Sequence, residues 1–273
     1  MSVVLKNPKN LLALGILAIL SCADASAENV DKLYEQGLQL YNQGRMGEAA
    51  SYMSTILTTD ARYARAHNLL GKIYHKQKKV DLALAEYKKA VESDSHLAEA
   101  KYNLGVAYFD QANYKDAEKN LDDAVKLDSK NSEYQYNLAL AQDRLGKKDR
   151  ALDGFERVLK SDPHHAQSRY CMARIYQQKG DNENAVTHYQ QAIADNPNYV
   201  EAYNNMGVAF QNLGKFPESI TAFQTALKIN PDCSEAQKNL GYAQAHTMLG
   251  ITYFTQGNTT KAFEEYKQAL KID

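Results

Sequence analysis

Residues 200–233 read VEAYNNMGVAFQNLGKFPESITAFQTALKINPDC, and the rest of the chain is understood through this stretch. Tyr203, Met206, Gly207 and Phe210 stand at positions 4, 7, 8 and 11 of it, and Phe223, Ala226 and Pro231 at positions 24, 27 and 32. Apolar residues three and four apart place one stripe along a first helix, and a second stripe runs from Ile220 to Leu227 after a turn at Gly214. Gly207 and Ala226 are small where two helices must approach closely. Pro217 sits in the first turn of the second helix, where a missing amide hydrogen costs little, and Pro231 stops that helix because it cannot donate to the preceding turn. The spacing predicts a helical hairpin.

Counted back in steps of 34, copies occupy 30–63, 64–97, 98–131, 132–165, 166–199 and 200–233 without a gap. Position 8 is Gly37, Gly71, Gly105, Ala139, Ala173 and Gly207, and position 20 is alanine or serine throughout. Position 24 is large in every copy (Met53, Tyr87, Leu121, Phe155, Tyr189, Phe223), so large side chains fill space that small ones open. Position 32 is proline only at Pro163, Pro197 and Pro231; Ala61, Ser95 and Ser129 replace it earlier, and those turns are expected to be less firmly punctuated. A seventh copy fills 234–273 with nine extra residues: 234–242 reads as positions 1–9, and 243–250 reads as positions 1–8 again. Nine residues rotate a helix by a net half turn and lengthen it by about 13 Å. A straight helix therefore cannot bury Leu240 and Leu249 on one side, and the expectation is a kink or bulge, or a first half whose stripe faces elsewhere.

These residues resemble the tetratricopeptide repeat, with "YNLGVAY" at 102–108 and "YNNMGVAF" at 203–210 close to that family's first helix. The resemblance covers nearly everything after Ala27, although position 4 carries no tryptophan. It implies an all-α solenoid of antiparallel helix pairs forming a right-handed superhelix, with first helices lining a concave groove that binds a protein or extended peptide. In some superhelical members an asparagine ladder holds a peptide backbone. Here Asn103, Asn137, Asn205 and Asn239 recur at position 6, interrupted by Glu35, Leu69, Cys171 and Met248. An amide both donates and accepts, so each can match a peptide unit or instead bond a neighbouring helix, and both readings stand. Arg65, Lys72, His75 and Lys76, then Glu99, Tyr102, Phe109, Glu133, Tyr136, Asp143, Arg174, Gln177 and Gln178, occupy positions expected to face the groove. Their basic members suit a partner's carboxylates or a solvated face.

The remaining signals set limits. The chain of 273 residues is 44% hydrophobic and 24% charged, which suffices for a core. Its formal charge of -1 carries no nucleic-acid footprint. No motif for nucleophile, phosphate or metal chemistry is present, and no cofactor or metal is expected. His164 and His165 beside Pro163 read as a solvated turn, while Asp122-Asp123 and Glu264-Glu265 are helix neighbours that do not face each other. Cys171 is expected near the helix surface and Cys233 in a turn. No capping helix follows Asp273, so Phe263, Tyr266, Ala269 and Leu270 are expected to be open or covered by another molecule, a route to a homo-oligomer.

Residues 1–27 form a secretory signal: Lys6 and Lys9 precede the apolar run 11–20, which is too short to span a bilayer. Ala25-Ser26-Ala27 offers an ordinary cleavage site, whereas Ile19-Leu20-Ser21-Cys22 resembles a bacterial lipoprotein box that would end the signal at residue 21 and acylate Cys22. The expectation is an exported, non-catalytic scaffold, periplasmic or lipid-anchored to the bacterial envelope, serving envelope assembly by resemblance. Mass spectrometry of the mature protein should find either an acylated Cys22 or a start at Glu28, and intact Met1 on a cytosolic protein would refute export.

Overall fold

The computed structural model describes residues 27–269, with side-chain surroundings from 29 to 265. Expectations for Cys22, the signal, Leu270 and the side chains of Tyr266 and Ala269 lie outside those residues. Among the described residues every regular element is a helix. They follow as α1 (Ala27–Asn42), α2 (Met46–Thr59), α3 (Ala64–Lys76), α4 (Val80–Ser93), α5 (Ala98–Asp110), α6 (Tyr114–Leu127) and α7 (Ser132–Arg144). Then come α8 (Lys148–Ser161), α9 (Ala166–Gln178), α10 (Asn182–Asp195), α11 (Val200–Asn212), α12 (Phe216–Ile229), α13 (Ser234–Thr255) and α14 (Thr259–Ala269). The odd-numbered helices are the first helices of the repeats. Two compact units result, Met1–Asn113 with α1–α5 and Tyr114–Asp273 with α6–α14, so the division falls inside the third repeat.

Within a hairpin the turn is made at position 15 by one left-handed residue. Gly44, Gly146, Gly180 and Gly214 have φ between 73° and 82° there, and Lys78 and Ala112 adopt φ of 59° and 57° without being glycine. A side chain in that region costs energy that glycine avoids. Gly257, φ 75°, is position 15 counted from Ala243, so the seventh repeat resumes its register after the extra residues.

Between hairpins the punctuation differs from the proline reading. Position 31 is Asp60, Asp94, Asp128, Asp162, Asn196 and Asn230, and each side chain accepts the backbone N–H two residues on, at 2.8 to 3.3 Å. This Asx turn closes the early repeats as it closes the later ones, so Ala61, Ser95 and Ser129 do not loosen their turns.

The core lies between paired helices, where position 24 meets position 8. A Cβ on Gly71 would stand 2.5 Å from Tyr87 Cε1, and one on Gly207 2.5 Å from Phe223 Cε1. The fourth repeat reverses the fit: Ala139 takes position 8 and the facing Gly154 leaves room, its Cβ point 2.7 Å from Ala139 Cβ. Repeats stack by the same logic. Met172 packs with Leu152 and Phe155 of the preceding second helix, and Met206 with Val186 and Tyr189.

The nine extra residues are absorbed into one continuous helix, and α13 runs for 22 residues. Ala236 and Ala243, at positions 3 and 10, are buried as the corresponding residues of repeats 2 to 6 are, and Asn239 at position 6 is buried with them. Its first half thus keeps the ordinary stacking, and the second half, containing the exposed Leu249, turns its stripe outward.

Two substitutions test this frame in opposite directions. Gly207→Ala drives a methyl into the Phe223 ring and should destabilise by about 1 to 2 kcal/mol despite alanine's helix preference. Ala112→Gly relieves the left-handed turn and should stabilise by roughly 0.5 to 1 kcal/mol. Thermal melts followed by circular dichroism should move down and up respectively.

Candidate functional site

The first helices of each unit form a face built from positions 2, 5, 9, 12 and 13, because positions 3, 7, 8 and 10 turn inward. In the first unit α3 supplies the cations. Arg65 lies 4.1 Å over the Tyr34 ring and donates to Glu35 at 3.1 Å. Lys72 Nζ donates to Glu99 Oε1 at 2.7 Å and approaches the Tyr41 ring, over which Lys76 stands at 4.3 Å. Burial works against the Lys72 charge, but the Glu99 hydrogen bond and charge outweigh it and hold its pKa above the usual range. His75 and Asp110 pair at 2.8 Å. Tyr102 and Phe109 are half-buried on α5.

In the second unit the face is centred on Asp143, a buried carboxylate. Arg174 Nη2 donates to its Oδ2 and Lys148 Nζ to its Oδ1, each at 2.6 Å, and Lys148 also donates to Gln178. Two cations on one carboxylate leave a surplus positive charge. Burial opposes the Arg174 charge, yet Asp143 more than compensates and raises its pKa. Tyr136 and Tyr170 flank this group, both with phenol pKa values raised chiefly by burial. Glu133 is exposed at the start of α7. Gln177 accepts from the Tyr189 hydroxyl at 2.8 Å.

The asparagines at position 6 take structural partners. Asn239 Nδ2 donates to Asn204 Oδ1 at 3.0 Å, Asn204 to Asn205 Oδ1 at 3.3 Å, and Asn205 to the Tyr170 hydroxyl at 3.0 Å, a chain of bonds from α13 through α11 to α9. Asn103 likewise donates to Asn68 on α3 at 2.9 Å, whereas Asn137 donates to the Glu133 carbonyl of its own helix. Asn103, Asn205 and Asn239 thus bond neighbouring repeats, and Asn239 is buried. The acceptors sit at position 5 of the preceding repeat, a residue that the position-6 recurrence alone did not mark.

Cys171 departs from its expected surface place. It is buried in the core beside the Tyr136 hydroxyl, and burial pushes its thiol up to about 11. Cys233 is the residue before α13, half-buried. His164 and His165 point to separate partners: His164 pairs with Asp195 at 2.8 Å, and His165 caps α9 by accepting from Ser168 N at 3.1 Å. A pair not singled out by sequence lies in the first unit, where His67 Nδ1 is 2.6 Å from Glu86 Oε2 beside a cavity of about 540 Å³ floored by Leu57 and Leu70. Among the described residues there is no group of three or more His, Cys, Asp or Glu placed to hold a metal, and no helix is long and apolar enough to cross a membrane. Phe263 is exposed, as expected.

Residues 71–112 and 173–214 match a family model described as TPR repeat, and residues 102–166 and 198–273 match models described as Tetratricopeptide repeat. No curated protein matches the chain. Among solved structures, pilF of Pseudomonas aeruginosa is similar over 77% of this chain and 96% of its own, at 22% identity and a TM-score of 0.66. YrrB, described as a TPR protein with an unusual peptide-binding site, covers 69% of this chain and 97% of its own at 21% identity and a TM-score of 0.61. Both are similar in fold. MamA is 27% identical over 59% of this chain and 94% of its own, with a TM-score of 0.57.

The asparagine chain carries its own test. Asn239→Ala strands the Asn204 carbonyl in a buried setting and should cost about 1 to 3 kcal/mol. Asn120→Ala, which removes only a bond to the Asp116 carbonyl on an exposed helix, should cost less than about 0.5 kcal/mol. Urea unfolding of the two variants should separate them clearly.

Proposed function

Because the chain belongs to the tetratricopeptide repeat family, whose fold is that of a generally non-catalytic protein-protein interaction scaffold, we propose that it is an exported adaptor of the bacterial envelope that holds an extended segment of a partner protein along its first helices. The carrying observation is the Asp143 group, where Arg174 and Lys148 share one carboxylate between Tyr136 and Tyr170. The surplus charge suits acceptor groups on the partner, whether acidic side chains or peptide carbonyls. Tyrosines add flat apolar area with a polar tip and little entropy to lose. Tyr34, Arg65, Tyr41 and Lys72 repeat this pairing of ring and cation on the first unit. The asparagines serve this reading indirectly, by fixing the spacing between first helices. Export rests on the order of charged, apolar and small residues over 1–27, and membrane attachment on Cys22.

Immobilised full-length protein should capture a partner from a bacterial envelope extract. Arg174→Ala should lower that capture at least tenfold, the loss of a charge-assisted contact of about 1.5 kcal/mol or more. Lys179→Ala removes the same charge from the exposed pair with Asp149 and should leave capture unchanged. Equal capture by both variants, each with a wild-type helical spectrum, would overturn the binding face.

A further inference from the structure

The second half of α13 carries an apolar surface that the other first helices do not expose. In repeats 2 to 6 the position-7 residue, Leu70, Leu104, Leu138, Met172 or Met206, is buried, at most 9% exposed. Counted from Ala243, the same position is Leu249, 39% exposed, and around it Met248, Ile251 and Phe254 are 69%, 52% and 62% exposed. The cause is the nine-residue slip. Ala236, Asn239 and Ala243 dock the first half of the helix in the ordinary way, while α14 pairs with its second half through the His246–Glu265 contact at 2.9 Å. The stripe that a preceding second helix covers elsewhere is carried a half turn round and about 13 Å beyond α12.

The chemistry of this surface is unusual for an exposed helix. From Asn239 to Thr260 there are 22 residues without a single Asp, Glu, Lys or Arg, the longest such run in a chain that is 24% charged. A partner at this face meets no charge to pair with, so any charge it brought would be desolvated without compensation. A second copy meets that condition automatically, because the same uncharged helix lies opposite. The formal charge of -1 also leaves little repulsion between copies. An anionic lipid surface fits less well, since interfacial helices line their polar face with several Lys and Arg; the run 239–260 holds none, and the cation beside it is Lys261, over the Tyr253 ring.

We propose that the second halves of two α13 helices pack against each other, antiparallel about a twofold axis near Ile251, to form a homodimer. At 100° per residue Met248, Ile251 and Phe254 share one 120° arc of the helix, with exposed Ile251 at its middle and Leu249 outside it. Burying these three large apolar side chains and the helix surface around them from each copy removes on the order of 1,000 Å² or somewhat less from water, at the lower edge of specific interfaces, so the dimer belongs in the micromolar range. This association is independent of whatever binds the face of the first helices.

Sedimentation velocity of the full chain at tens of micromolar should show a concentration-dependent dimer. Met248→Glu combined with Phe254→Glu should raise the dissociation constant at least about 100-fold while leaving helical ellipticity unchanged. Ile251→Cys places a thiol at the axis and should give a covalent dimer on mild oxidation, whereas Thr187→Cys on exposed α10 should not. A wild-type chain that stays monomeric at every concentration, a double-glutamate variant that dimerises as wild type does, or equal cross-linking of the two cysteine variants would each overturn the proposal. Monomers that co-float with vesicles of phosphatidylethanolamine and phosphatidylglycerol through Met248 and Phe254 would assign the face to the membrane and overturn it as well.

Discussion

Within each helix pair one contact sets the distance: a small residue against a large one where the two helices come closest. Tyr87 on Gly71 and Phe223 on Gly207 leave no room for a methyl, and these rings are among the largest fully buried side chains. Everything outside the pair inherits that spacing. The first helices can present a face of tyrosines and cations only because positions 8 and 24 fix how far each stands from its partner, and the second helices stack at intervals that follow. The fourth repeat shows that the constraint is on the sum of volumes rather than on a residue, since Ala139 is accommodated by Gly154 across the interface.

Electrostatics on the first-helix faces is arranged around sharing. Asp143 is buried with two cations on it, and neither Arg174 nor Lys148 is paired with it alone. Removing one cation leaves the carboxylate still compensated by the other, so the face tolerates a ligand that draws Arg174 away from its intramolecular partner. The first unit instead gives Lys72 and Arg65 separate acidic partners and aromatic supports. The two faces therefore differ in how readily a cation is released to a ligand.

The 34-residue period and the small and large positions were legible because helix packing demands them in every copy, and the tetratricopeptide hairpin followed. Three things were not. The turn between hairpins was judged by proline, yet the acceptor that makes it is the Asp or Asn one residue earlier, a polar residue without periodic apolar context to mark it. The asparagines at position 6 were visible as a recurrence, but their donors reach position 5 of another repeat, where the acceptor is an amide at Asn68 and Asn204 and a phenol at Tyr170. Cys171 was expected near the helix surface, yet it is buried beside Tyr136 of the preceding repeat. The last two misses concern contacts between repeats, which no single copy of the unit contains.

The bonds from position 6 to position 5 also bear on how such a chain can be copied and edited. Asn239 requires the carbonyl of Asn204, and Asn205 requires the hydroxyl of Tyr170, so a repeat carries a donor suited to its predecessor and an acceptor suited to its successor. Transplanting the sixth repeat behind the first would bring the Asn205 amide against Tyr34, a ring already claimed by Arg65. Duplication of neighbours in place preserves these matches, whereas shuffling breaks them. The repeats are thus alike in shape but ordered in sequence, and one amide enforces the order where repeats 2 and 3, 5 and 6, and 6 and 7 meet.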